Sequence, residues 1–200
     1  MRCLGEISSR NLLLLLFYFH FQVSKCICGV NLSCKPPCEC FPHPNAADKH
    51  DSRDLSSSIP IQNVTCASAP EWKYVPNFLD PRIRHLNITH TGITGLGADL
   101  NNYRSLQTLC LSHNRITSVR GNNFRLLDQL TDLDLSHNEL VLIASNVFAN
   151  NYLLVTLNLS YNRIAHFKPR FLQSLPFLEQ LDLANNQLVG KKFKFLLTIF

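Results

Sequence analysis

The chain has 200 residues, 46% of them apolar and 16% charged, which is enough for one compact domain or one elongated array and excludes a large multidomain enzyme. Its formal charge of +5 comes from Lys191, Lys192 and Lys194 and from Arg2, Arg10 and Lys25 set against Glu6. The stretch between is neutral overall, so no basic stripe marks a nucleic-acid partner.

Met1 to Arg10 carries two Arg, and Leu12 to Phe19 is an unbroken apolar run that continues through Phe21 and Val23. A charged start before roughly a dozen apolar residues predicts a secretory signal over residues 1–28, since a membrane span needs about 20. Cleavage after Ser24 or near Cys28 and Gly29 fits the length, although no good Ala-x-Ala site is present and an uncleaved short anchor is the alternative. Sequons at Asn31, Asn63, Asn87 and Asn158 fit export and are candidate glycosylation sites.

Residues 29–82 form a cysteine-rich segment holding Cys34, Cys38, Cys40 and Cys66. Four cysteines allow three pairings in an oxidising compartment, and a zinc site is the competing chemistry for Cys-x-Cys. Between the third and fourth cysteines, residues 41–65 read as a polar insertion with Pro42, Pro44, His50 and the run Ser56 to Ser58. Inserted loops often carry binding function; a tolerated solvated loop is the plainer reading.

The rest, residues 83–200, is dominated by one pattern written four times. Leu106, Leu109, Leu111, Asn114 and Ile116 recur 24 residues on as Leu130, Leu133, Leu135, Asn138 and Leu140. They return as Leu154, Leu157, Leu159, Asn162 and Ile164, and again as Leu178, Leu181, Leu183, Asn186 and Leu188. A weaker copy, offset by 23, precedes them at Ile83, Leu86, Ile88 and Ile93, with Thr91 at the Asn position. Residues two apart share a strand face, so Leu109 and Leu111 point inward together, and one coil cannot cover its own apolar side. Stacked coils make a parallel sheet with a common core behind it. The Asn at the ninth position turns the chain out of the strand and can bond backbone groups of adjacent coils.

This L-x-x-L-x-L-x-x-N-x-L pattern resembles the extracellular leucine-rich-repeat family over Ile83 to Leu188. The resemblance implies an α/β-type solenoid with a short parallel sheet on the concave face, a largely irregular or 3-10 convex side, and a disulfide-bonded amino-terminal cap. Cys34 with Cys40 and Cys38 with Cys66 is the pairing the family implies. On the convex side, Val119, Ile143 and Phe167 fall fourteenth in the coil; Phe124, Phe148, Leu172 and Leu196 fall nineteenth and should form a spine. After Leu188 the run Val189 to Phe200 contains no cysteine pair that would cap the array, so the chain is expected to be part of a longer receptor, with a short secreted form as the alternative.

The second, third, fifth, seventh and eighth positions should face the concave surface. The candidate partner-binding residues are therefore Arg84, His85, His90, Thr108, His113, Asp132, Asp134, His137, Tyr161, Glu179, Gln180 and Asp182. The eighth column reads His90, His113, His137, Tyr161 and Asn185. Strands lie about 4.8 Å apart, near enough for the imidazoles to titrate together or share a metal; an ordinary polar column is the plainer reading. Acidic groups thicken toward the carboxyl end and would suit a basic partner patch. Cys110 is left unpaired, and an exported free thiol points to an intermolecular bridge or a partly shielded small residue. There is no Gly-x-Ser-x-Gly, no His-Glu-x-x-His and no phosphate-binding Gly loop, so neither catalysis, a cofactor nor a resident metal is expected.

The family resemblance implies an extracellular protein-recognition module of a cell-surface receptor or adhesion protein, Toll-like ones included. A secreted matrix protein resembling the small leucine-rich proteoglycans is the other reading. The expected partner is a protein ligand or cell-surface partner and not nucleic acid, the location is secreted or on the outer side of the plasma membrane, and membrane contact is expected only through segments not present in this chain.

Overall fold

The computed structural model describes residues 36–42, 61–167 and 169–189. The signal segment, Asn31, Cys34, the middle of the insertion (43–60) and the carboxyl-terminal run from Gly190 lie outside the described residues.

The alternation of inward leucines is realised as short strands. These are β1 (Cys38–Pro42), β2 (Ile61–Ala67), β3 (His85–Thr89), β4 (Thr108–Cys110), β5 (Asp132–Asp134), β6 (Leu142–Ile143), β7 (Thr156–Asn158), β8 (His166–Phe167) and β9 (Gln180–Asp182). One seven-stranded sheet runs β1-β2-β3-β4-β5-β7-β9, parallel throughout except for the antiparallel β1–β2 pair. Register follows the repeat: Leu86 pairs with Leu109, Leu109 with Leu133, Leu133 with Leu157 and Leu157 with Leu181. The expected short parallel sheet is present, and the convex connections are turns, two 3-10 helices (Ala98–Asn102 and Pro169–Ser174) and the small β6–β8 pair, which Val119 joins through a bridge to Ile143.

Every inward leucine of the coils at 106, 130 and 154 is buried. The Asn column binds them together. The Asn138 amide donates to Leu111 O at 2.9 Å, Leu135 O at 3.1 Å and Ser136 O at 3.0 Å, and its Oδ1 accepts from Ile116 N at 3.0 Å. Asn162 and Asn186 repeat the scheme one and two coils on. Asn114 differs in using its Oδ1 for Thr91 N and Thr91 Oγ1, so the Thr in the weak repeat joins the ladder as a partner of the next Asn. Buried carbonyls that no sheet ladder reaches are satisfied this way.

The cap is more intimate with the array than the sequence suggests. Phe41 and Pro42 complete β1, and Ile61 to Thr65 open β2, so both ends of the expected insertion are strand. Val64 and Cys66 pair with Leu86 and Ile88, which places the cap's last strand in repeat register. Cys38 and Cys66 are joined, as the family resemblance implies, and Cys40 is also disulfide-bonded, to a partner outside the described residues. These cysteines are therefore not zinc thiolates. Val75, Leu79, Trp72 and the Tyr103 ring close the core behind β3, with the Tyr103 hydroxyl donating to Pro76 O. Gly92 turns at φ +77, where a Cβ would lie 2.5 Å from Pro70 O, so the first coil can approach the cap only with glycine there.

The convex spine corrects one expectation. Phe124 and Phe148 are fully buried and stacked at 5.6 Å, but the next member is Phe171, 5.9 Å from Phe148, while Leu172 is only partly buried. Pro169 to Ser174 form a 3-10 helix where the coils at 106 and 130 have turns, and there Phe171 rather than Leu172 reaches the core.

Candidate ligand-recognition face

Position within a coil decides what each concave side chain is free to do. At the third position His85, Thr108 and Asp132 lie in neighbouring strands and Gln180 follows beyond Thr156, with His85 and Gln180 exposed and Thr108 and Asp132 half-buried. Asp132 Oδ2 accepts from Thr131 Oγ1 at 2.7 Å. Arg84 and Glu179, at the second position, are exposed in the first and last of the described repeats.

The fifth position works partly for the fold. Asp134 Oδ1 accepts from Ser136 N at 2.8 Å, Asn158 Oδ1 from Ser160 N at 3.0 Å and Asp182 Oδ1 from Ala184 N at 2.8 Å. Each side chain thus closes a local turn two residues on, which leaves one oxygen of each aspartate toward the face. Cys110 holds the same place with its Sγ 3.2 Å from Ser112 Oγ and 3.8 Å from Asp134 Oδ2. Its thiol is free and half-buried, and burial pushes it above the usual thiol range, which keeps it protonated and slow to react.

The seventh position does not face the concave surface as expected. Ser112, Ser136 and Ser160 are buried. Strand alternation ends there because the next residue is left-handed: φ is +56 at His90, +55 at His113, +52 at His137, +52 at Tyr161 and +56 at Asn185. Ser68 adopts the same turn at φ +61, continuing the column into the cap. Asn and His are enriched among the residues that tolerate this backbone, which accounts for most of the column's composition.

That turn throws the eighth-position side chains outward along one edge of the sheet, where they stack. His90 and His113 centroids are 4.5 Å apart, His113 and His137 4.1 Å, and His137 and Tyr161 4.2 Å, with ring planes within 12° of parallel. All four are exposed. Beside them runs an open trough of about 600 Å³, lined also by Asn185, Glu139 and Arg163. Glu139 and Arg163 pair across adjacent coils at 3.1 Å. Parallel rings carry their nitrogen lone pairs in parallel planes, so they cannot converge on an ion. Among the described residues no three His, Cys, Asp or Glu side chains are placed to hold a metal. The shared-metal reading of the column therefore does not fit its geometry. His113 sits between two imidazoles, and desolvation first, then both neighbours, hold it below the ordinary histidine value against an opposing pull from Asp134.

The sequon asparagines 63, 87 and 158 lie in β2, β3 and β7 respectively. Asn87 and Asn158 stand at the fifth position, three residues before His90 and Tyr161, so a glycan at either would obstruct the same surface.

The Leucine rich repeat family model matches residues 81–140 and 137–188, more than half of the chain. The chain belongs to the leucine-rich-repeat family. Among solved structures, this leucine-rich-repeat chain is similar to one from the Toll–Spätzle complex of Drosophila, at 30% identity and a TM-score of 0.53, over 60% of this chain and 18% of that one. It is also similar to one from the TLR13–ssRNA13 complex, at 25% identity and a TM-score of 0.53, over 55% of this chain and 16% of that one. The chain thus spans less than a fifth of either. No curated protein sequence matches it. No helix among the described residues is long and apolar enough to cross a membrane.

Proposed function

We propose that the chain is an extracellular, non-catalytic recognition module of a receptor-like leucine-rich-repeat protein, binding a protein ligand or cell-surface partner through its concave sheet and the adjoining ring edge. The observation that carries this reading is the contrast between the two sides of one sheet. Behind it the leucines are sealed, whereas in front successive coils align exposed or half-buried polar columns that the fold uses only in part. A rigid sheet that presents side chains in fixed rows is preorganised for a partner. Oxidised cap cysteines fit an extracellular location. The Toll and TLR13 neighbours, each solved as a complex, support ligand binding as the use of such a module.

The test is a multivalent display of the secreted chain, screened against extracellular protein domains. A partner is expected whose binding is lost in the concave variant T108R/D132R and kept in the convex variant R125E. Binding insensitive to the concave pair, or a chain retained unprocessed in the cytosol, would overturn the reading.

A further inference from the structure

We propose that the column of His90, His113 and His137, ended by Tyr161, is an acid-gated docking edge for a carboxylate-bearing, extended segment of the ligand. This deepens the recognition reading above and rests on it.

The argument begins with where the rings point. Their faces cover one another, so their edges are what solvent and ligand meet along the trough. A neutral imidazole edge offers one donor and one acceptor, whereas a protonated one offers two donors, and bonds from a cation to a carboxylate are the stronger kind. Uncharged, the column is an aromatic ridge; charged, it is a row of cationic donors.

The surrounding charges decide how far the row can charge. Asp134 from β5 acts on His113, with its Oδ1 already held by Ser136. Glu139 and Arg163, on the trough lining, pair with each other. Tyr161 and Asn185 complete the column without charge at neutral pH. Two carboxylates, Asp134 and Glu139, stand by the three imidazoles and Arg163 offsets Glu139, so protonation of the rings leaves the edge net positive. The charge is not shared equally. Desolvation first, then the stacked His137 and His90 rings, hold His113 below the ordinary histidine value, and two like charges repel less on alternate rings than on adjacent ones.

With centroids 4.5 and 4.1 Å on either side of His113, the His90 and His137 rings are at most about 8.6 Å apart. An extended polyproline-type segment advances about 3.1 Å per residue and repeats every three, so acidic residues at i and i+3 lie on one side about 9.3 Å apart. The stacked column comes within about 1 Å of that repeat. A nucleic-acid strand is the less suitable occupant. Its charge is continuous, and lying across the concave sheet it would meet Asp132, Asp134, Glu179 and Asp182. A peptide places carboxylates at chosen positions only.

The test uses the full chain and a fluorescent peptide (Asp-Pro-Pro)4, with anisotropy measured at pH 7.5 and 5.5 at constant ionic strength. Asp stays ionised at both values, so the difference reads the protein's histidines. At least a tenfold tighter Kd is expected at pH 5.5. The double variant H90N/H137N should lose that gain, while H166Q, changed at an exposed histidine on the convex side, should keep it. Asn suits the left-handed backbone at both sites, as Asn185 does in the last coil, and the single variants H90N and H137N provide a second reading should the pair fold poorly. An acid gain below threefold, or one that survives in H90N/H137N, would overturn the proposal. A larger acid gain for single-stranded oligouridylate than for the peptide would overturn the assignment to a peptide. If T108R/D132R abolishes partner binding at pH 7.5 while the peptide shows no acid gain, the recognition reading stands and this inference falls.

Discussion

The coil that starts at Leu130 and the coil that starts at Leu178 carry the same pattern, yet they are not equally dry. Leu130, Leu133, Leu135 and Leu140 are all buried, whereas Leu178, Leu181 and Leu188 are only partly so. The hydrogen bonds do not follow this difference. Asn186 makes the bonds of Asn138: to Leu159 O, Leu183 O and Ala184 O, and from Ile164 N. The reason is directional. Each ladder Asn reaches back to the coil before it, so one neighbour satisfies it, whereas a leucine needs a wall on both sides to leave water. Polar satisfaction in this solenoid is a one-neighbour property and apolar burial a two-neighbour property.

Substitutions at equivalent positions would test that difference. The largest effect is expected for Leu133→Ala, which removes a side chain sealed on both sides and should cost about 2–5 kcal/mol in urea denaturation. Leu181→Ala should cost about 1–2 kcal/mol, because part of that side chain already meets water. Equal losses at the two sites would refute the two-neighbour account.

A smaller effect is expected along the ladder. Asn138→Ala strands Leu111 O, Leu135 O and Ile116 N in a buried site, while Ser136 O keeps its bond from His113 N, and should cost about 1–3 kcal/mol. Asn186→Ala strands the same kinds of group where water can reach them, and should cost less than about 1 kcal/mol. The ratio of the two midpoint shifts measures how much of the ladder's worth is exclusion of water.

The smallest effect is expected from the ring column. The His113 value is depressed in the folded chain, so between that value and about 6.5 the unfolded chain binds more protons at this residue. Its contribution is neutral above pH 6.5, and stability falls as pH drops through that window and levels off once the folded state is protonated too. Thermal melts of the parent and of His113→Asn should diverge as pH falls below 6.5 and coincide at pH 8. Curves parallel throughout would show that neither desolvation nor the stacked neighbours lower the His113 value.

The strand half of each coil was legible because it depends on local rules: period two for the leucines, and one amide able to bond several carbonyls at once. The third spine member was not. Counting nineteen places from Leu154 gives Leu172, but Pro169 starts a 3-10 turn that delivers Phe171 to the core instead. The cap's strand β2 was missed for a similar reason. Val64 and Cys66 are spaced like Leu86 and Ile88, a signal that was present but hidden by reading Cys66 only as a disulfide partner. The candidate face was legible as columns and misread at the seventh position, where a left-handed residue ends the alternation.

From the order of residues alone came the coil length, the inward leucines, the Asn ladder and the membership of each polar column, since all follow from short-range periodicity repeated at a constant interval. Only the tertiary structure decided which column residues are free. It gave Asp134, Asn158 and Asp182 to local turns, buried the serines, and laid His90, His113, His137 and Tyr161 face to face. Those outcomes depend on backbone direction at single residues and on contacts between coils about 24 places apart, and a one-dimensional pattern encodes neither.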